Sequence, residues 1–165
     1  MKVERLDNKK HNRKAFDCGI AELNLYLQQF ANQDQKRGLA RVYVLAEQDY
    51  IIGYYSISAH SIPADRLPSN RKLGVYQEVP FLLLGRLAID KPYQGQGYGG
   101  NLIFHTFKTT IETAEKVGIQ GIIVDAKDEN AARFYQKFGF IPLSMTKNRL
   151  VLPFVAIKSL IKNEP

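Results

Sequence analysis

The chain has 165 residues, 45% hydrophobic and 24% charged, values of an ordinary globular protein large enough for one real core. No apolar run is long enough to cross a bilayer, and the opening Met-Lys-Val-Glu-Arg-Leu-Asp lacks the apolar centre of a secretion signal, so a cytoplasmic protein with no membrane contact is expected. Cys18 is the only cysteine, which excludes internal disulfides and a cysteine metal cage, and the net charge of +7 favours polyanionic partners.

Residues 1–14 hold six basic side chains against two acidic ones, and Lys36, Arg37, Arg41, Arg66, Arg71, Lys72, Lys147 and Arg149 extend the excess. Such charges are either a solvated surface or a nucleic-acid footprint. Val3 to Leu6 reads as a short first strand. Ile20, Leu23, Leu27, Phe30 and Ala31 are spaced as the core face of an amphipathic helix ending before Gly38. Arg41 to Glu47 and Tyr50 to His60 form an expected antiparallel hairpin turning at Gln48-Asp49, and Ile62 to Pro80, with three prolines and no clear period, is expected as a loop.

Phe81 to Phe107 is the most informative stretch. Leu82 to Ile89 is a nearly continuous apolar run of strand length, which suggests burial on both faces. Lys91-Pro92 ends the ladder because proline has no amide hydrogen. Gln94-Gly95-Gln96-Gly97-Tyr98-Gly99-Gly100 follows, and Leu102, Ile103, Phe104, Phe107, Ile111, Ala114 and Val117 then mark a helix that opens inside the glycine turn and ends at Gly118. A helix start leaves about four amide hydrogens unpaired and carries roughly half a positive charge, so this junction is suited to a phosphate or pyrophosphate. A plain glycine-rich surface turn is the alternative.

Gly121 to Asp125 is a further strand. Asp128 caps a helix from Glu129 to Phe138 with Gly139 as its left-handed end, and Ala131, Phe134, Tyr135 and Phe138 share one face. Phe140 to Leu143 and Arg149 to Phe154 complete a last hairpin before a short helical tail. The chain shows no repeats or linkers, so residues 1–165 are expected to be one domain. The order of elements indicates an α/β or α+β protein with a mixed sheet.

Gly95, Gly97 and Gly100 also satisfy G-x-G-x-x-G, with Asp125 ending the next strand. A dinucleotide fold would place the glycines directly after its first strand and add further strand-helix units. Here Asp90 to Gln94 intervene and only 40 residues follow Asp125.

Gln94-x-x-Gly97-x-Gly99 opening a helix after a central strand resembles the acetyl-CoA signature of the GNAT acetyltransferase superfamily. Leu84-Gly85-Arg86-Leu87-Ala88-Ile89-Asp90, Val124-Asp125-Ala126-Lys127-Asp128-Glu129, Phe134-Tyr135-x-x-Phe138-Gly139-Phe140, Phe16-Asp17-Cys18-Gly19, Leu23-Asn24 and Gly53-Tyr54-Tyr55 extend the resemblance to the acetyltransferase toxins of bacterial toxin-antitoxin pairs, over nearly the whole chain. The resemblance implies the GNAT fold, a mostly antiparallel sheet of about six to seven strands flanked by about four helices. It also implies acetyl transfer from acetyl-CoA to the amino group of an aminoacyl-tRNA, an antitoxin partner with a ribbon-helix-helix domain, and a homodimer. The compact Pro68 to Pro80 loop departs from the pattern and leaves the acceptor open.

By the same resemblance, Gln94, Gly95, Gln96, Gly97, Tyr98, Gly99 and Gly100 hold the CoA pyrophosphate through their amides. The backbone of Leu87, Ala88 and Ile89 pairs with the pantetheine arm, Asn130 and Phe134 flank it, and Tyr135 is the general acid for the departing thiolate. A phenol has a proton to give at neutral pH. Asp90, His60 and Ser58 are the candidates for a base, though an α-amino group, with a pKa of roughly 8, needs little help. His105, off the apolar stripe, and His11, in the basic segment, are expected at the surface. No His, Asp or Glu spacing suggests a metal. Two other functions fit the same residues: acetylation of a small amine or protein terminus, and a CoA-binding module in which Tyr135 is structural.

Overall fold

The computed structural model describes residues 1–67, 77–143, 146 and 148–163. Seven strands are hydrogen-bonded in the order β1-β2-β3-β4-β5-β7-β6: β1 (Lys2–Arg5), β2 (Arg41–Glu47), β3 (Tyr50–Pro63), β4 (Glu78–Ile89), β5 (Gly121–Asp125), β6 (Ile141–Pro142) and β7 (Arg149–Pro153). The helices are α1 (Ala21–Leu25), α2 (Ala31–Lys36), α3 (Tyr98–Ala114), α4 (Glu129–Gln136) and α5 (Phe154–Lys162). The chain forms two compact units, Met1–Ser58 with Gly85–His105, and Ala59–Leu84 with Thr106–Pro165.

In the first unit β1 runs antiparallel to β2, from Lys2 opposite Ala46 to Arg5 opposite Tyr43. β2 and β3 form the expected hairpin, whose turn holds Gln48 at φ 56°. Leu6, Phe16, Leu27, Ala31, Val42, Val44 and Tyr54 make the core. Leu27 and Ala31 are fully buried as the spacing predicts, but Phe30 is 47% exposed. The reason is a π-helical turn, Tyr26–Phe30, between α1 and α2. Its i→i+5 bonding widens the turn, so a side chain three residues after Leu27 no longer returns to the same face.

In the second unit β5 lies parallel to Leu82–Leu84 of β4 and antiparallel to β7. Its Ile122, Ile123 and Val124 are buried, as β-branched residues of a strand covered on both faces. Ile62, Leu67, Val79, Phe81, Ile123, Leu143 and Val151 form the core here.

The segment expected as a loop from Ile62 to Pro80 is shorter than its prolines suggest. β3 continues to Pro63, a 3-10 turn covers Ala64–Arg66, and β4 begins at Glu78; residues 68–76 of the Pro68 to Pro80 loop lie outside the described residues. α3 ends at Ala114 rather than near Gly118, because the Lys116 and Val117 amides both donate to the Thr113 carbonyl, and Val117 is 59% exposed. Three threonines, Thr106, Thr109 and Thr110, occupy buried positions of α3 instead. Thr110 Oγ1 donates to the Thr106 carbonyl at 2.8 Å and Thr113 Oγ1 to that of Thr109 at 2.7 Å, which satisfies hydroxyls that hydropathy counts as surface groups.

Candidate active site

The first unit brings together the end of β4 and the mouth of α3. Asp90, the residue after β4, is 1% exposed and fully engaged. Its Oδ1 accepts from the Asp17 amide at 2.8 Å, its Oδ2 accepts from the Tyr50 hydroxyl, and its own amide donates to the Ile52 carbonyl. The hydrogen bond to Asp90 pushes the Tyr50 phenol up to about 12. A carboxylate with this set of partners fastens the strand end to the rest of its unit; it does not face a substrate as a base.

Lys91–Tyr93 make a 3-10 turn, and Gln94, itself exposed, bonds back onto the backbone. Its Nε2 donates to the carbonyls of Ile89 and Cys18, both at 2.8 Å, so one side chain ties the glycine-rich turn to the strand before it and to the 16–19 loop. Gln96 Nε2 repeats the motif on the Pro92 carbonyl. Gly95 and Gly97 stand at φ 75° and 89° with no atom within 4 Å of where a Cβ would lie. Glycine is needed there for its backbone conformation, and the space beside it is open. Tyr98, Gly99 and Gly100 open α3, whose first turn has no acidic residue. The unpaired amides and the helix dipole make this turn a receptor for an anion.

Within β4, Ala88 is buried while Leu87 and Ile89 are half-buried. Gly53 of β3 packs directly against them: a Cβ there would lie 2.6 Å from Ile89 Cδ1 and 3.0 Å from the Ala88 carbonyl. Arg86, one residue before Leu87, lays its guanidinium 3.5 Å from the centroid of the Tyr26 ring. The Tyr26 hydroxyl donates to Asp34 Oδ2 at 2.9 Å, and burial together with this bond pushes the phenol up to about 12.

The second unit brings together Asn130, Phe134 and Tyr135 on α4. Asp128 Oδ1 caps the helix by accepting from the Ala131 amide at 2.8 Å, and Gly139 closes it at φ 99°. Asn130 is exposed and accepts from the Arg133 guanidinium. Phe134 meets Tyr135 edge to face at 5.2 Å, and Tyr135 meets Phe140 at 5.6 Å. Tyr135 is 7% exposed, and burial raises its phenol pKa well above the ordinary value. Among the described residues its hydroxyl has no hydrogen-bond partner, yet it is not a sealed, unsatisfied atom. A protonated phenol with a packed ring and an open tip is suited to give a proton to a ligand.

A family profile described as an acetyltransferase (GNAT) domain matches residues 38–142, a span that contains the glycine-rich turn and α4. The chain belongs to the GNAT acetyltransferase family. This GNAT chain is 32% identical to the probable toxin TacT of Sinorhizobium fredii, over 96% of its own length and 94% of the relative's. It is 29% identical to a tRNA-acetylating toxin of Mycobacterium tuberculosis over 76% of each chain. Among solved structures, AtaT complexed with acetyl-methionyl-tRNAfMet superposes with a TM-score of 0.89 at 33% identity, covering 97% of this chain and 98% of that one. AtaTR bound with AcCoA gives 0.86 at 34% identity and 97% of each chain. A mutant of AtaT bound to the C-terminus of the antitoxin AtaR gives 0.85 at 31% identity, covering 99% and 98%. The mixed, mostly antiparallel seven-strand sheet is that of the GNAT fold.

Other positions differ from expectation. His11 is 5% exposed, with Nδ1 accepting from the Asp7 amide and Nε2 donating to Glu4. His105 is half-buried, its Nδ1 2.7 Å from the Tyr55 hydroxyl and its ring beside Tyr43. His105 is expected at the surface for lying off the apolar stripe and His11 for its basic segment; in the structure His105 is held by Tyr55, distant in sequence, and His11 by Asp7 and Glu4 of its own segment. His60 and Ser58 are half-buried; His60 makes a minor contribution to lowering the Asp125 carboxyl, which is held down chiefly by its hydrogen bonds with Arg149. Arg86 was missed as a positioned group, although a lone cation inside the apolar run from Leu82 to Ile89 is itself a signal. Among the described residues no cluster of three His, Cys, Asp or Glu could hold a metal, and no helix is long and apolar enough to cross a membrane.

Proposed function

We propose that this protein transfers the acetyl group of acetyl-CoA to the α-amino group of an aminoacyl-tRNA and thereby blocks translation until an antitoxin binds it. The observation that carries this reading is the near full-length likeness to AtaT in complex with acetyl-methionyl-tRNAfMet; the tRNA-acetylating relative and the AcCoA-bound neighbour support it. The protein acts as a single domain over residues 1–165 in the cytoplasm, as a homodimer, and its antitoxin is of the ribbon-helix-helix type.

Acetyl-CoA supplies an activated acyl thioester. The amides of Gln94, Gly95, Gln96, Gly97, Tyr98, Gly99 and Gly100 hold its diphosphate at the mouth of α3, and the Leu87, Ala88 and Ile89 backbone pairs with the pantetheine arm as with an added strand. Asn130 and Phe134 flank the arm. Tyr135 gives its proton to the sulfur as the carbon–sulfur bond breaks and the carbon–nitrogen bond forms, and the proton lost by the amine restores the phenol. With Asp90 engaged elsewhere, no protein base is assigned: an α-amine with a pKa of roughly 8 is partly neutral at working pH, whereas a lysine near 10.4 is not. Mass spectrometry of bulk aminoacyl-tRNA incubated with the protein and acetyl-CoA tests this, and absence of N-acetyl aminoacyl product refutes it.

A further inference from the structure

The first unit contains a cleft of about 680 Å³ lined by none of the residues assigned to acetyl-CoA. Its walls are the segment from Glu4 to His11 and, from α2, Asn32 and Lys36. The segment is rigidly built. The Lys10 and His11 amides donate to the Asp7 carbonyl at 3.1 and 2.9 Å, and the Lys9 amide donates to Asp7 Oδ1 at 2.9 Å. Buried His11 locks the turn from beneath: its Nδ1 accepts the Asp7 amide at 3.0 Å, which leaves the proton on Nε2 to donate to Glu4 Oε1 at 2.8 Å.

Glu4 is neutralised inside this construction by Lys10 at 2.7 Å and Lys2 at 3.2 Å. Counted whole, the walls set Arg5, Lys9, Lys10 and Lys36 against Glu4 and Asp7 and so remain cationic. Arg5, Lys9, Lys10 and Lys36 are all exposed, and among the described residues Lys9 and Lys36 form no ion pair. The lining holds one apolar residue, Leu6, and it is 5% exposed. A cleft without an apolar or aromatic anchor has little to offer a protein partner, whose affinity concentrates in such anchors. Ammonium groups held around such a recess suit phosphate oxygens, which they contact without reading sequence.

We infer that this cleft binds the phosphodiester backbone of RNA, as a second hold on the acceptor tRNA apart from the reacting amine. The inference rests on the acceptor proposed above, but its test does not. Binding of uncharged bulk tRNA to the full-length protein is measured across a salt series for the wild type, for Lys9→Ala/Lys36→Ala and for the charge-reversed Lys9→Glu/Lys36→Glu. Loss of two phosphate contacts lowers the slope of log affinity against log salt by about 1.4 to 1.8, and weakens binding about tenfold near physiological salt. In turnover, KM for aminoacyl-tRNA rises by a similar factor while acetylation of methionine methyl ester stays within about twofold. Unchanged tRNA affinity and slope overturn the inference. So does equal loss on the ester, which marks general damage, and so does retained RNA binding with lost inhibition by the antitoxin, which assigns the cleft to a protein. A wild type that binds tRNA through this cleft yet acetylates only the ester refutes the acceptor and leaves the cleft standing.

Discussion

Tyr135 separates two demands on one side chain: its ring belongs to the aromatic packing of Phe134 and Phe140, and its hydroxyl is not sealed in. Tyr135→Phe keeps the ring and removes only the proton, so acetyl-CoA affinity and melting temperature stay near wild type while turnover falls about 100-fold to 10,000-fold; calorimetric binding and initial rates check this, and unchanged turnover removes Tyr135 from the role. Because burial holds the phenol protonated, the pH–rate profile has no falling limb from this group in the ordinary tyrosine range. Tyr135 is legible as a candidate through the resemblance that Phe-Tyr-x-x-Phe-Gly-Phe carries with the other motifs, beside the reading of a tyrosine that only completes an aromatic face. The bracing by Gln94 is not, since its two carbonyl partners, Cys18 and Ile89, are brought together only by the fold. The same holds for Asp90, whose type fits a base and whose partners make it a fastening.

At the scale of elements, glycine positions show where backbone approach decides the structure. A Cβ on Gly121 would lie 2.1 Å from the Leu152 carbonyl oxygen, inside any permitted contact and against backbone, so Gly121→Ala must disrupt the β5–β7 ladder. Its cost is about 3 kcal/mol or more, read as a fall in denaturant midpoint. Gly53→Ala is a different case, because its closest contact is the flexible end of Ile89. The change moves the Leu87–Ile89 strand by tenths of an ångström, and its expected readout is a raised KM for acetyl-CoA with little loss of stability. The elements are legible wherever hydrophobic spacing is regular, as in β2, β5 and α4. At α3 the spacing marks the helix and its buried Leu102, Ile103 and Phe107 but misses its early end and its core threonines, among them Thr110, whose hydroxyl bonds the Thr106 carbonyl; at the Ile62 to Pro80 stretch proline composition hides residues that continue β3 and begin β4.

Across the whole molecule, the charge excess anticipates a basic character but not its organisation, because the His11 lock and the pairing of Glu4 depend on the folded turn. Hydrogen bonds from Lys10 and then His11 hold the Glu4 carboxyl down to about 2, and Lys91 does the same for Asp17. Both folded values lie below the ordinary 4.5 and 3.8, so the stability they contribute is present above those values and is lost as pH falls toward about 2. Because the Asp17–Lys91 pair is largely exposed and screened, thermal melts through that window should show a modest acid loss from these groups, shallower in Glu4→Gln. The π-helical turn at Tyr26–Phe30 has one more consequence. It holds a residue more than a regular turn would, so excising exposed Gln29 there leaves a continuous α-helix whose later turns keep nearly the same facing. Gln35, which bonds both the Leu6 carbonyl and the Val42 amide, and Asp34, which accepts from the Tyr26 hydroxyl, then stay on their side, whereas a deletion at the start of α2 swivels both by about 100°. Single-residue deletions should therefore be better tolerated in this turn than in α2.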